Sequence, residues 1–149
     1  MATTRLPSDF REFLLLLGEH EVEYLLVGGY AVSYHGYPRA TVDLDIWVNR
    51  VLENALKLVT ALKEFGFGVQ GLTPELFTET ENIIRMGEPP LRIEIITSAS
   101  GVEFSKCYQN RIIDEIDGVR VNFINLEELK QNKEAAGRHK DLDDLEHLP

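Results

Sequence analysis

Between residues 25 and 48 the chain reads LLVGGYAVSYHGYPRATVDLDIWV. An apolar run meets Gly28-Gly29, a short helix-like segment follows, and the next strand-like run carries Asp43 and Asp45 on either side of one leucine. Side chains two residues apart on a strand project to the same face, so Asp43 and Asp45 point together while Val42, Leu44 and Ile46 point into a core. Two carboxylates on one face of an apolar strand repel each other and are costly to bury unless a cation lies between them. Either that face is a half-exposed acidic one, or it holds a divalent metal, whose hard oxygen ligands suit magnesium or manganese.

The pair has company. Arg39 and Thr41 lie just before the acids, and the later run Leu91-Arg92-Ile93-Glu94-Ile95-Ile96 again sets one carboxylate in an apolar segment. This constellation resembles the nucleotidyltransferase superfamily of the polymerase-beta type: strand, Gly-Gly or Gly-Ser turn, short helix, D-x-D on the next strand, and a third carboxylate on a later one. It looks nearest the branch containing abortive-infection (AbiE-type) toxins and some aminoglycoside nucleotidyltransferases. The resemblance covers residues 22 to 97, and more loosely the Lys-rich C-terminal segment. The third acid, usually Asp, would here be Glu94.

Elsewhere the sequence mostly sets bounds. Its 149 residues suit one compact domain with a core. Apolar content of 44% and charged content of 27% are ordinary for a globular protein. No apolar run approaches a membrane span, Met1 to Leu6 carries no signal-like region, and the lone Cys107 fits a reducing cytoplasm as a packed thiol. A cytoplasmic protein is therefore expected. The net charge of −10 argues against a broad nucleic-acid surface but leaves room for a local basic groove, or for an acidic cleft that takes a cationic acceptor.

Patterning predicts an α/β (α+β) fold with a mixed sheet, flanking helices and a helical C-terminal tail. Pro7-Ser8-Asp9 opens a helix, with Asp9 and Glu12 at capping-box spacing. Strands are expected over 22–27 and 42–48, a short helix over 29–35, and an amphipathic helix over 52–65 whose buried side is Leu52, Ala55, Leu56, Val59, Leu62 and Phe65. A short helix over 74–78, strands over 82–86 and 91–97 and a helix over 102–108 follow. Asp117-Gly118 joins the strands 111–116 and 119–123 in a hairpin. Asn125 with Glu128 opens a helix to Ala136, and a last helix spans 138–147.

The resemblance implies a metal-dependent transfer of a nucleoside monophosphate from an NTP to a hydroxyl acceptor, which could be a tRNA end, a protein side chain or a small molecule. Asp43, Asp45 and Glu94 would be catalytic metal ligands for Mg2+ or Mn2+, and Glu94 could accept the acceptor's proton. Gly28 and Gly29 would let the backbone approach a phosphate; a tight turn without ligand is the alternative. Arg39 is placed to reach the triphosphate, or is a surface residue of its loop. Thr41 shares the face of the acids. Arg92 contacts phosphate or pairs with Glu94. Lys133 or Lys140 would contact nucleotide phosphates, with Asp141 orienting the lysine, unless the segment is a solvated helix. His35 reads as a packing or capping residue. A partner subunit or second protomer would complete the cleft, as in a toxin–antitoxin setting. The other reading is a catalytically degenerate domain that binds nucleotide or a partner.

Overall fold

The computed structural model describes residues 6–38, 40–41, 43–79, 81–88 and 92–149. Arg39, Val42 and Leu91 lie outside the described residues. Among the described residues, six helices and six strands follow in the order α1 (Ser8–Glu19), β1 (Tyr24–Val27), α2 (Gly28–Tyr34), β2 (Asp43–Val48), α3 (Leu52–Phe65), β3 (Ile83–Met86), β4 (Arg92–Ile96), α4 (Phe104–Gln109), β5 (Ile112–Ile116), β6 (Val119–Phe123), α5 (Leu126–Ala136) and α6 (His139–His147). A 3-10 turn, Pro74–Phe77, precedes β3.

The strands form one mixed sheet in the order β3-β4-β2-β1-β6-β5. β2 runs parallel to β4 and antiparallel to β1, and β1 runs parallel to β6. Both faces of the central strands are covered. Leu26, Leu44, Ile46, Ile93 and Ile95 pack with α1 and α3 on one side. Leu25, Val27, Trp47 and Ile124 pack with Ala31, Cys107, Leu129 and Leu148 on the other. Burial on both faces explains why β1 reads as an unbroken apolar run, Tyr24-Leu25-Leu26-Val27.

Two expectations need correction. The capping box at Asp9 and Glu12 is not formed: Pro7 takes the N-cap position and no side chain caps the helix. Its fixed φ favours a helix entry there, which leaves Asp9 to meet the helix dipole from the first turn. α3 has the expected bounds but a rotated face. Leu52 and Leu56 are more than half exposed, while Leu58, Ala61 and Asn54 are buried. Asn54 accepts from Glu23 N–H (2.7 Å) and donates to the carbonyls of Glu23 (3.0 Å) and Asn49 (2.9 Å). This tie of α3 to the loops flanking β1 and β2 sets the helix's rotation. An amide at that position counts as polar in a periodicity argument, and its backbone partners are invisible to one.

The hairpin and C-terminal segments match their signals. Asp117 (φ 49°) and Gly118 (φ 79°) take the positive-φ pair of a type I′ turn. The Asn125 side chain accepts from Glu128 N–H at 2.8 Å, and Gly137 (φ 64°) ends α5. No helix among the described residues is long and apolar enough to cross a membrane.

Candidate active site

Register builds this site. Val27, the last residue of β1, lies opposite Asp45 on β2. The chain then turns into α2 at Gly28, so Gly28 faces the Asp45 carboxylate. A Cβ at Gly28 would lie 2.0 Å from Asp45 Oδ2, and φ there is +67°. Gly29 meets Thr41 in the same way, with Thr41 Oγ1 2.5 Å from where a Cβ would stand. Thr41 donates its hydroxyl to the Asp43 carbonyl at 3.3 Å. Gly28→Ala therefore meets left-handed backbone and a carboxylate at once. We expect it to cost about 1–3 kcal/mol, read in urea unfolding, while the far-UV spectrum stays native.

β2 and β4 are parallel, with Asp43 opposite Arg92 and Asp45 opposite Glu94. Neighbouring strands are about 4.8 Å apart, so three carboxylates share one sheet face. Further along that face Trp47 is sealed under the Phe104 ring (centroids 5.2 Å apart). The acids lie upstream of this lid. Glu94 is one methylene longer than Asp and shares a hydrogen bond with Asp43 on the neighbouring strand.

Their environments drive the three apart. Burial pushes Asp45 up to about 7, reinforced by the negative charges of Glu94 and Asp43 and tempered by Lys140 and Lys133. Burial and the hydrogen bond with Asp43 raise Glu94. Asp43 goes the other way: hydrogen bonds from Arg92 hold it below the usual carboxylate range. Arg92 grips Asp43 with both arms of its fork, Nε to Oδ1 at 3.2 Å and Nη2 to Oδ2 at 2.8 Å. Its contact with Glu94 Oε2 is longer, 3.8 Å. Pairing with Glu94 is thus the minor interaction, because the register puts Arg92 directly across from Asp43.

The C-terminal helices bring further cations. Lys140 is exposed, and its charge reaches both Asp43 and Asp45. Lys133 also acts on Asp45, but its ammonium is buried, 3.2 Å from Asp141 and 3.1 Å from Asp144. Asp141 accepts from Arg138 Nε (2.7 Å) and Arg138 N–H (3.1 Å), which closes the first turn of α6. Burial works against the Asp141 charge, yet the hydrogen bonds from Arg138 and Lys133 hold its carboxyl low. Arg138 in turn feels Asp45 and Glu94.

The fold thus gathers Gly28, Gly29, Thr41, Asp43, Asp45 and Glu94 and brings the charge of Lys140 to them, with Lys133 behind. Arg39 lies outside the described residues. His35 hydrogen-bonds through Nε2 to the Ile124 carbonyl oxygen (2.7 Å), a packing role. The Cys107 thiol is pushed up to about 12 by burial and by Glu128, so it is no nucleophile at neutral pH. Sequence reasoning missed Arg85, which lies opposite Glu94 with Nε 3.4 Å from Oε1, along with Arg138 and Asp144. The pairing of β3 with β4 is a tertiary event with no local signal. The spacing of Asp141 and Asp144 on one helix face was readable, but their shared lysine was not.

No family model matches this chain, and no curated protein matches it closely enough to count. Among solved structures, a candidate nucleotidyltransferase from Thermotoga maritima superposes with a TM-score of 0.67 at 17% identity, over 97% of this chain and 94% of that one. The Helicobacter pylori protein JHP933 superposes with a TM-score of 0.45 at 18% identity, over 93% of this chain and 62% of that one. The first likeness shows a shared fold, a mixed sheet flanked by helices with helices at the C-terminus.

Proposed function

We propose that this chain is a metal-dependent nucleotidyltransferase, moving a nucleoside monophosphate from an NTP to a hydroxyl acceptor. The observation that carries this reading is the register that sets Asp43, Asp45 and Glu94 on one face of adjacent parallel strands. The donor set is all carboxylate oxygen, which fits Mg2+ or Mn2+. Gly28 supports the fit, since the missing Cβ is what gives Asp45 its place. A metal held there would neutralise phosphate charge and lower the pKa of the attacking oxygen.

The chain's own residues do the rest. Asp43 and Asp45 hold the metal from a rigid strand. Glu94, with its raised pKa, takes the acceptor's proton. Lys140 contacts the triphosphate, and Gly28 and Gly29 leave the space that Asp45 and Thr41 occupy. Lys133 stays in place as a fixed positive charge behind Asp45. Five cations (Arg85, Arg92, Lys133, Arg138 and Lys140) act on the acidic trio, so a chain with net charge −10 still offers a local site for a polyanion.

The test is calorimetric titration of a non-hydrolysable NTP with and without magnesium, on wild type and on Asp43→Asn/Asp45→Asn. Magnesium-dependent binding that disappears in the variant is expected. Nucleotide affinity indifferent to magnesium would favour the degenerate binding domain instead. Screening with α-labelled NTPs against RNA, protein and small alcohols then assigns the acceptor class.

A further inference from the structure

We propose that Arg92 is an exchange residue: it caps Asp43 while the site is empty and transfers its guanidinium to the triphosphate when metal and nucleotide enter. The inference rests on the metal-site reading above and goes beyond it. Both oxygens of Asp43 are engaged by the Arg92 fork, at 2.8 and 3.2 Å. A carboxylate gripped in this bidentate way has its favoured lone pairs taken and offers a divalent ion little. The three acids are also not drawn together as a ligand set: the described residues whose ligand atoms all lie within 4.8 Å of one another are the exposed Asp143, Glu146 and His147.

Arg92 can leave without stranding a charge in the core. Its side chain is 33% exposed, so the displaced guanidinium moves into water or onto phosphate. Its second contact, Glu94 Oε2 at 3.8 Å, is also held by Arg85 through Oε1, so Glu94 keeps a cation after the exchange. The planar fork that matches a carboxylate also matches a phosphate. One residue thereby suppresses metal binding before substrate and strengthens nucleotide binding after it.

The two halves predict opposite signs. In Arg92→Gln, Mn2+ affinity without nucleotide, read by electron paramagnetic resonance, should rise about 5–10-fold, roughly 1–1.4 kcal/mol. The affinity for a magnesium complex of a non-hydrolysable NTP should fall about tenfold in the same variant. Arg92→Lys, which keeps the charge but loses the fork, should shift both in the same directions by less. In the wild type the Arg92 Nε–H resonance, identified by its absence in Arg92→Gln, should move when magnesium and nucleotide are added together. Unchanged Mn2+ affinity in both variants, beside normal wild-type binding that Asp45→Asn abolishes, overturns the exchange and leaves the metal site standing. Absence of Mn2+ binding in wild type and variants alike overturns the metal site, and the exchange with it.

Discussion

Replacing Lys133 with methionine should destabilise the protein by about 3–5 kcal/mol. Lys133 is 4% exposed and its two partners, Asp141 and Asp144, are at most 1% exposed. With the cation gone, two buried carboxylates lose the charge they share. Asp141 keeps its bonds from Arg138, which limits the loss. The double variant Lys133→Met/Asp144→Leu removes one of those charges and should regain about half of the deficit, since an apolar replacement of a buried ion pair is often neutral. Urea unfolding of both variants reads the effect. A single variant within about 0.5 kcal/mol of wild type would mean that the cluster is hydrated and contributes nothing measurable. The consequence extends to the site. Lys133 is one of the two charges that lower Asp45, so its loss should push that acid higher still.

Asp45→Asn should do the opposite and stabilise the metal-free protein at pH 8. The folded-state pKa of Asp45 is about 7 against an ordinary 3.8. The folded protein therefore holds a proton there that the unfolded chain has already released. Stability falls as pH rises from about 4 to 7 and stays low above it, because the folded state must then carry a buried, repelled carboxylate. That penalty is on the order of 2–4 kcal/mol at pH 8. The asparagine variant escapes it, so its advantage should be largest at pH 8 and vanish near pH 4. Adding magnesium at pH 8 should raise the melting temperature of wild type and leave the variant unmoved. Equal stability of the two proteins from pH 4 to pH 8 would mean that Asp45 ionises without cost.

The elements were legible where local chemistry settles them. Asn125 with Glu128 opens α5, Asp117-Gly118 turns the hairpin, and the period of α3 sets its length, because each of these is decided within a few residues. The buried side of α3 was not, since Asn54 rather than Leu52 turns inward to meet the backbone of Glu23 and Asn49.

For the site, the sequence alone determined that Asp43 and Asp45 share a face, since strand geometry fixes alternation. It also placed two glycines just after the strand that precedes them. The partner of Asp43 was decided only in three dimensions. Setting β4 parallel to β2 puts Arg92 opposite Asp43 and Glu94 opposite Asp45, and a slip of one residue would have turned both side chains to the other face. The same holds for Gly28, whose need to lack a side chain follows from the pairing of Val27 with Asp45. In the sequence Lys133 is either a phosphate contact or a solvated helical lysine; only the docking of α6 gives it two buried carboxylates. Short-range periodicity is written into the chain; register and helix docking depend on the whole core, and they decide which charges meet.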